Sequence, residues 1–129
     1  MFNRPFPMLY VKDIEHSVKF YCDNFNFVLS YLWPQQGSLE YAFLRLSEYG
    51  IGIATRGATK SLLGKPLPRQ GTPQFELCLF VDDTDEASEH LRSKGVKRLV
   101  LPMDKPWGER LAYFEDPNGN PIQITAKIT

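Results

Sequence analysis

One stretch of this chain recurs 70 residues further on. Leu79-Phe80-Val81-Asp82-Asp83-Thr84-Asp85-Glu86-Ala87 lies over Leu9-Tyr10-Val11-Lys12-Asp13-Ile14-Glu15-His16-Ser17, with apolar, capping and helix positions in register. The same offset lays Ala112 over Ala42, Tyr113 over Phe43 and Gln123 over Ile53. Self-similarity at a fixed offset indicates a duplicated structural unit, so two similar halves are predicted.

The first copy contains the signals of one helix among four strands. Phe6 to Val11 is typical of a strand, and Asp13 stands as a helix cap before apolar residues spaced as one helical face. Turn residues then separate three further short runs that predict strands, namely Val28 to Trp33, Tyr41 to Leu46 and Ile51 to Thr55. The first module is therefore predicted to be βαβββ.

The second copy repeats this order. Asp83 with Glu86 three residues later resembles a capping box, and Gly95 suits the left-handed position after a helix. A strand from Lys97 to Met103 and a closing hairpin complete the unit. We predict an α+β fold of two tandem βαβββ modules, at about 6–56 and 74–127.

Composition limits the number of domains and the kinds of partner. A chain of 129 residues with 43% apolar residues is one domain, and 57–73, rich in Gly, Pro and basic residues, is predicted to link its two modules. Fifteen basic side chains balance fifteen acidic ones, which disfavours nucleic acid and anionic membranes. No leader or membrane-spanning run is recognisable, so a cytoplasmic location is predicted.

The last third of the chain carries a distinctive hairpin. Asp116-Pro117-Asn118-Gly119 has Asp, Pro and Gly where a β-turn favours them, between two runs rich in aromatic and β-branched residues. Pro106-Trp107-Gly108-Glu109-Arg110 precedes it. A Trp-Gly pair, an Arg, a strand, this turn and a second strand together resemble the closing hairpin of the glyoxalase/bleomycin-resistance/dioxygenase superfamily, also called the vicinal oxygen chelate fold.

The resemblance implies cupped sheets around a cleft, with helices on the convex side, and a homodimer. Strand alternation then assigns side chains to the concave or the convex face. The concave set is Phe6, Met8, Tyr10, Tyr41, Phe43, Arg45, Ile51, Ile53, Thr55, Glu76, Cys78, Phe80, Leu111, Tyr113 and Gln123. The convex set is Leu9, Val11, Leu44, Leu46, Leu77, Leu79, Val81, Ile122 and Ile124.

The resemblance also places the metal-ligand positions of the superfamily at Phe6, Ile53, Glu76 and Gln123. Two of these four cannot coordinate a cation, and His16 and His90 lie on the predicted helices. We therefore predict no metal and no cofactor, with Glu76 and Gln123 forming a hydrogen-bonded polar pair. Cys22 and Cys78 suit neither a disulfide nor a metal site, and Cys78 is predicted to be an inert packing residue.

What remains is a mostly apolar surface with a few polar groups, which is typical of a small-molecule pocket. The predicted ligand-binding residues are Trp107, Tyr113, Phe43, Arg45, Glu76, Gln123 and Phe6. Metal-free bleomycin-resistance proteins of the superfamily sequester a drug in such a cleft, and the Trp107 segment is similar to their stacking segment. Binding of a small planar, partly apolar molecule without a metal, as in antibiotic sequestration, is the favoured function, rather than catalysis.

Two alternatives stay open. One is a lyase, isomerase or dioxygenase of the same superfamily with an altered metal site, in which case a glyoxalase-like lyase or a dioxygenase is expected. The other is a protein–protein scaffold. Tyr10 and Phe80 are equally compatible with contacting the ligand and with filling the seam between the modules.

Overall fold

The structure, a computed structural model, describes residues 1, 6–55 and 75–128, so the predicted linker at 57–73 lies outside the described residues. Contacts divide the chain into two compact units, Met1–Arg69 and Gln70–Thr129. In the part of the chain that is described, no helix is both long and apolar enough to cross a membrane.

The described residues of the first unit form one helix and four strands, in the predicted βαβββ order. They are β1 (Met8–Val11), α1 (Ile14–Phe25), β2 (Val28–Trp33), β3 (Tyr41–Leu46) and β4 (Tyr49–Thr55). The strands form one sheet in the order β1-β4-β3-β2, in which β1 is parallel to β4 and the other pairs are antiparallel.

The second unit repeats this arrangement. Its elements are β5 (Leu77–Phe80), α2 (Thr84–Ser93), β6 (Lys97–Lys105), β7 (Glu109–Glu115) and β8 (Pro121–Lys127). The sheet order β5-β8-β7-β6 matches that of the first unit, with β5 parallel to β8. The α+β fold of two βαβββ modules is therefore confirmed.

Both helices begin at the predicted aspartates. Asp13 accepts a hydrogen bond from the backbone N–H of His16 at 3.1 Å, and Asp83 accepts one from that of Glu86 at 3.1 Å. Each bond satisfies a backbone donor that has no partner within its helix. Helix α2 is followed by Gly95 at φ 84°, the left-handed conformation that the sequence predicted.

The core of each unit lies between the helix and one face of the sheet. In the first unit this face carries Leu9, Ala42 and Leu44, all at most 2% exposed, and α1 contributes the fully buried Tyr21. In the second unit Arg98 on β6 donates to Ser88 of α2, and Thr84 of α2 donates to the carbonyl of Arg110 on β7. We call the opposite side of each sheet its open face.

The predicted assignment of β4 to the two faces is wrong by one residue. Ile53 pairs with both Leu9 and Ala42, and Ile51 pairs with Leu44, so both isoleucines belong to the helix-facing core. Thr55 likewise pairs with Val11. It is Gly52 that pairs with Met8 and Phe43 on the open face.

Unequal turns cause this shift. Four residues separate the paired Arg45 of β3 and Gly50 of β4, whereas five separate Glu115 of β7, which corresponds to Arg45, from its partner Pro121 of β8. The repeat offset therefore changes from 70 to 71 in the last strand of each unit. Gln123, paired with Cys78 and Tyr113, corresponds to Gly52 and not to Ile53.

Candidate functional site

The open face of the first unit is a surface of aromatic rings. The rings of Phe6 and Phe43 meet edge to face with centroids 5.0 Å apart, and those of Tyr31 and Tyr41 lie 6.1 Å apart. Cross-strand pairing aligns Trp33 with Tyr41 on this face. Tyr31 is 48% exposed and Trp33 is 49% exposed, so much of this aromatic surface is open to solvent.

Two glycines of β4 let these rings lie close to the backbone. A Cβ atom on Gly50 would lie 2.6 Å from Cε1 of Phe43 and 2.9 Å from the carbonyl oxygen of Leu44. One on Gly52 would lie 2.8 Å from Sδ of Met8 and 3.2 Å from the Phe6 ring. The absence of side chains at both positions makes room for the rings.

The open face of the second unit is polar at the corresponding positions. Gln123 on β8 donates from Nε2 to the Tyr113 hydroxyl oxygen on β7 at 2.7 Å. The thiol of Cys78 on β5 lies 3.7 Å from Oε1 of Glu76, which precedes that strand. We call these four residues the polar cluster. Glu76 and Gln123 were predicted to be a hydrogen-bonded polar pair, and the hydrogen bond of Gln123 runs to Tyr113.

The surroundings raise the pKa of two groups in the polar cluster, the Cys78 thiol and the Tyr113 phenol. Partial burial and then the negative charge of Glu76 raise the pKa of the Cys78 thiol. Partial burial also raises the pKa of the Tyr113 phenol; the hydrogen bond from Gln123 opposes this rise, and the charge of Glu76 adds to it. Cys78 is exposed, not packed as predicted, and its raised pKa disfavours the thiolate, which is the nucleophilic form.

Trp107 lies in the turn between β6 and β7. Gly108 beside it has φ 89°, and the indole Nε1 donates to Oε1 of Glu109 at 2.9 Å. The indole is 64% exposed, which rules out a core position. Glu109 alternates with Leu111 and Tyr113 along β7, so its backbone position belongs to the open face.

The seven predicted ligand-binding residues therefore lie at three places. Phe6, Phe43 and the exposed Arg45 belong to the open face of the first unit. Glu76, Tyr113 and Gln123 belong to the polar cluster, and Trp107 lies in the turn described above. Sequence reasoning overlooked Tyr31 and Trp33, although the alternation along β2 could have indicated that these two residues share a face.

The donors at the superfamily's metal-ligand positions do not fit a metal ion. With the corrected register these positions are Phe6, Gly52, Glu76 and Gln123, so one carboxylate and one amide oxygen are available. Divalent cations in proteins take four or more ligands, usually three or more from the protein in a catalytic zinc site. Among the described residues no group of three or more His, Cys, Asp or Glu side chains could hold a metal ion.

A groove of about 710 Å³ lies elsewhere, along α2. It is lined by Val81, Asp82, Asp83, Glu86, Ala87, Glu89, His90 and Ser93. None of the predicted ligand-binding residues borders this groove, and it contains no aromatic ring other than the imidazole of His90. The open face of each unit, with its rings or its polar groups, is a better candidate for a binding surface than this groove.

Comparison with known proteins agrees with this geometry. The family model of the Glyoxalase/Bleomycin resistance protein/Dioxygenase superfamily matches residues 5–124, and the chain therefore belongs to this superfamily. The uncharacterized protein YraH of Bacillus subtilis (strain 168) is 34% identical over 120 residues, which cover 90% of this chain and 91% of YraH.

Solved structures show the same fold. A glyoxalase/bleomycin resistance protein/dioxygenase from Nocardioides superposes with a TM-score of 0.80 at 23% identity, covering 99% of this chain and 87% of that one. TnmS3, an antibiotic binding protein from Streptomyces sp. CB03234, superposes with a TM-score of 0.70 at 24% identity, covering 93% and 91%.

Proposed function

We propose that this protein binds a small planar, partly apolar molecule without the help of a metal ion, as in antibiotic sequestration. The exposed aromatic surface of the first unit is the observation that carries the proposal. Clustered rings offer flat apolar area to a flat ligand, and aromatic contacts add about 0.5–1.5 kcal/mol each beyond area burial. The fold of TnmS3, which is named an antibiotic binding protein, accommodates such a function.

The residues at the superfamily's metal-ligand positions favour ligand binding over metal-dependent catalysis. Phe6 and Gly52 cannot coordinate a cation, which leaves one carboxylate and one amide oxygen at these four positions. The alternative, a lyase, isomerase or dioxygenase with an altered metal site, requires ligands from residues other than these. Homodimer formation and a cytoplasmic location stay parts of the proposal that derive from the sequence.

The test is a thermal-shift and fluorescence titration with planar aromatic antibiotics and dyes. Phe43→Leu keeps the apolar character of its site but loses the ring, and Tyr31→Ala removes an exposed ring from the same face. Each change should weaken binding of a responsive compound by roughly threefold to tenfold. The matched control is Tyr49→Ala, because Tyr49 is 73% exposed and pairs with Leu46 on the other side of the sheet.

Two results would refute the proposal. One is that no planar compound binds, or that Tyr49→Ala weakens binding as much as the open-face variants do. The other is elemental analysis that finds about one Zn, Ni, Mn or Fe per chain, lost in Glu76→Ala and accompanied by turnover of a methylglyoxal–thiol adduct. The second result would favour the enzyme alternative.

A further inference from the structure

The open face of the first unit combines its aromatic rings with one charged side chain. The four strands β1–β4 carry a single charged residue, Arg45 on β3. Arg45 pairs with Val28 on one side and with Gly50 on the other, and the neighbouring row of the same face contains Tyr31 and Phe43. In the sheet order β1-β4-β3-β2, strand β3 is an interior strand, so this charge does not protect an exposed edge.

Arg45 has no carboxylate partner in the described part of the chain. Its side chain is exposed, and within residues 6–55 and 75–128 it takes part in no ion pair and no hydrogen bond. The other three arginines of these residues, Arg92, Arg98 and Arg110, each contact a carboxylate. The planar fork of N–H donors on Arg45 is therefore available to a carboxylate from outside the chain.

An aromatic ring lies beside Arg45 on the same sheet. The Phe43 ring covers Gly50, since a Cβ atom on this glycine would lie 2.6 Å from Cε1 of the ring, and Gly50 is the cross-strand partner of Arg45. Residues two positions apart on an antiparallel strand, as Phe43 and Arg45 are, lie about 6.8 Å from each other. A flat ligand that contacts the Phe43 ring can therefore bring an acidic group at its edge within reach of Arg45.

We propose that the open face of the first unit binds a planar aromatic carboxylate, whose ring contacts Phe43 and Tyr31 and whose carboxylate pairs with Arg45. The inference rests on the proposed function and narrows its ligands to aromatic acids. A guanidinium and a carboxylate form two parallel N–H···O bonds, which also fix the orientation of the flat ligand. An amine-bearing ligand would bring a second positive charge to the guanidinium and be repelled.

Three probes of one ring system test the proposal: 2-naphthoate, the neutral 2-naphthamide and the cationic 2-naphthylmethylamine. Ligand-observed NMR titrations measure the affinity of each probe for the purified full chain at neutral pH and low salt. Naphthoate should bind about fivefold more tightly than naphthamide, as expected of an ion pair at an exposed site, and the amine should bind more weakly than both.

Three variants separate the charge of the site from its ring. Arg45→Gln keeps hydrogen-bond donors but removes the charge, so it should abolish the advantage of naphthoate and leave the affinity for naphthamide unchanged. Arg45→Lys keeps the charge but not the planar fork, and it should retain part of the advantage. Phe43→Leu removes the ring and should weaken the binding of all three probes.

Lys19→Gln is the matched control, because it also removes one positive charge from the first unit, but from an exposed side chain on α1, across the sheet from the open face. It should leave all three affinities unchanged. A loss of naphthoate binding equal to that in Arg45→Gln would show attraction by overall charge and overturn the proposal.

Other results would overturn the proposal while leaving the proposed function standing. They are naphthamide binding without any advantage for naphthoate, and an advantage that survives Arg45→Gln. A change of oligomeric state in Arg45→Gln, measured by analytical ultracentrifugation, would show that a second copy of the chain pairs with Arg45 and would overturn it likewise. If none of the three probes binds, the proposed function fails as well.

Discussion

Substitution of Trp107, a single exposed ring, distinguishes a role in ligand binding from a role in stability. The indole is 64% exposed and donates to Glu109, so Trp107→Ala should change the free energy of unfolding by no more than about 0.5 kcal/mol. If the ring stacks on a flat ligand, the same change should weaken binding by roughly threefold to tenfold.

Thermal melts with and without a responsive aromatic antibiotic measure both effects of the Trp107 variants. Trp107→Phe keeps a ring without the indole N–H and should retain most of the ligand-induced shift. A large fall in melting temperature without ligand, or an undiminished shift in Trp107→Ala, would contradict the stacking role.

Substitution of Thr125 on β8 gives a second prediction, which concerns stability. It is 3% exposed, and its hydroxyl oxygen makes no hydrogen bond within the described part of the chain. A buried hydroxyl without a partner costs about 1–3 kcal/mol. Thr125→Val keeps the branched shape and removes this group, so the urea midpoint of unfolding should rise. Thr55→Val, at a less buried threonine of β4, is the control, and a lower midpoint in Thr125→Val would reveal a partner for the hydroxyl.

At the scale of the element, two glycines of β4 make room for the aromatic rings on the open face, and the two are not equivalent. An added methyl at Gly50 meets the Phe43 ring and a backbone carbonyl, whereas one at Gly52 meets mainly the flexible end of Met8. Gly50→Ala should therefore destabilise the protein by about 1–3 kcal/mol, and Gly52→Ala by clearly less. Urea unfolding of the two variants measures the difference, and equal costs would contradict this account of how the rings pack.

Helix α2 is attached to its sheet by ion pairs that acid should weaken. Arg110 on β7 donates to both oxygens of Asp85 at 2.9 Å and to Asp104 of β6 at 3.0 Å. The hydrogen bond from Arg110, followed by its charge, lowers the pKa of the Asp85 carboxyl. Because that pKa is lower in the folded state, the contribution to stability is complete above the unfolded pKa of about 3.9 and is lost as the pH falls through the folded value.

The urea midpoint of the wild type should accordingly fall below about pH 4, and Asp85→Asn should make this fall shallower. Asp82→Asn changes an exposed aspartate just before the helix and serves as the comparison. An identical pH profile for wild type and Asp85→Asn would show that the ion pair contributes nothing measurable. The pair is at the surface, so salt should also reduce its effect.

At the scale of the whole molecule, apolar side chains are exposed along one of the two edge strands of each sheet. They are Val28, Leu29, Tyr31 and Trp33 on β2, and Leu99, Leu101 and Met103 on β6. Exposed apolar edges favour association with another chain, which agrees with the homodimer implied by the sequence resemblance.

Analytical ultracentrifugation at micromolar concentration should find a dimer. The dimer should persist in salt on the order of 0.5 M, because apolar contacts are not screened as ion pairs are. A monomer under these conditions would remove the prediction.

Much of the architecture was determined by local sequence patterns. The aspartates before both helices, Gly95 after the second and the alternation along β1, β3, β7 and β8 each depend on residues close in the chain, and the structure confirms them. The repeat at an offset of 70 was sufficient to predict two βαβββ modules, because it brought these local signals into the same order twice.

Only the tertiary structure decided the register of β4 and the grouping of the polar residues. A constant offset cannot reveal that the second hairpin has one residue more than the first between equivalent strand pairs, yet that difference moves Ile53 into the core and brings Gly52 to the open face. Likewise, Glu76 is far in sequence from Tyr113 and Gln123, and it lies near them because β5 is the neighbour of β8 in the sheet. Strand order and register depend on hydrogen bonds between distant segments, which a local pattern does not contain.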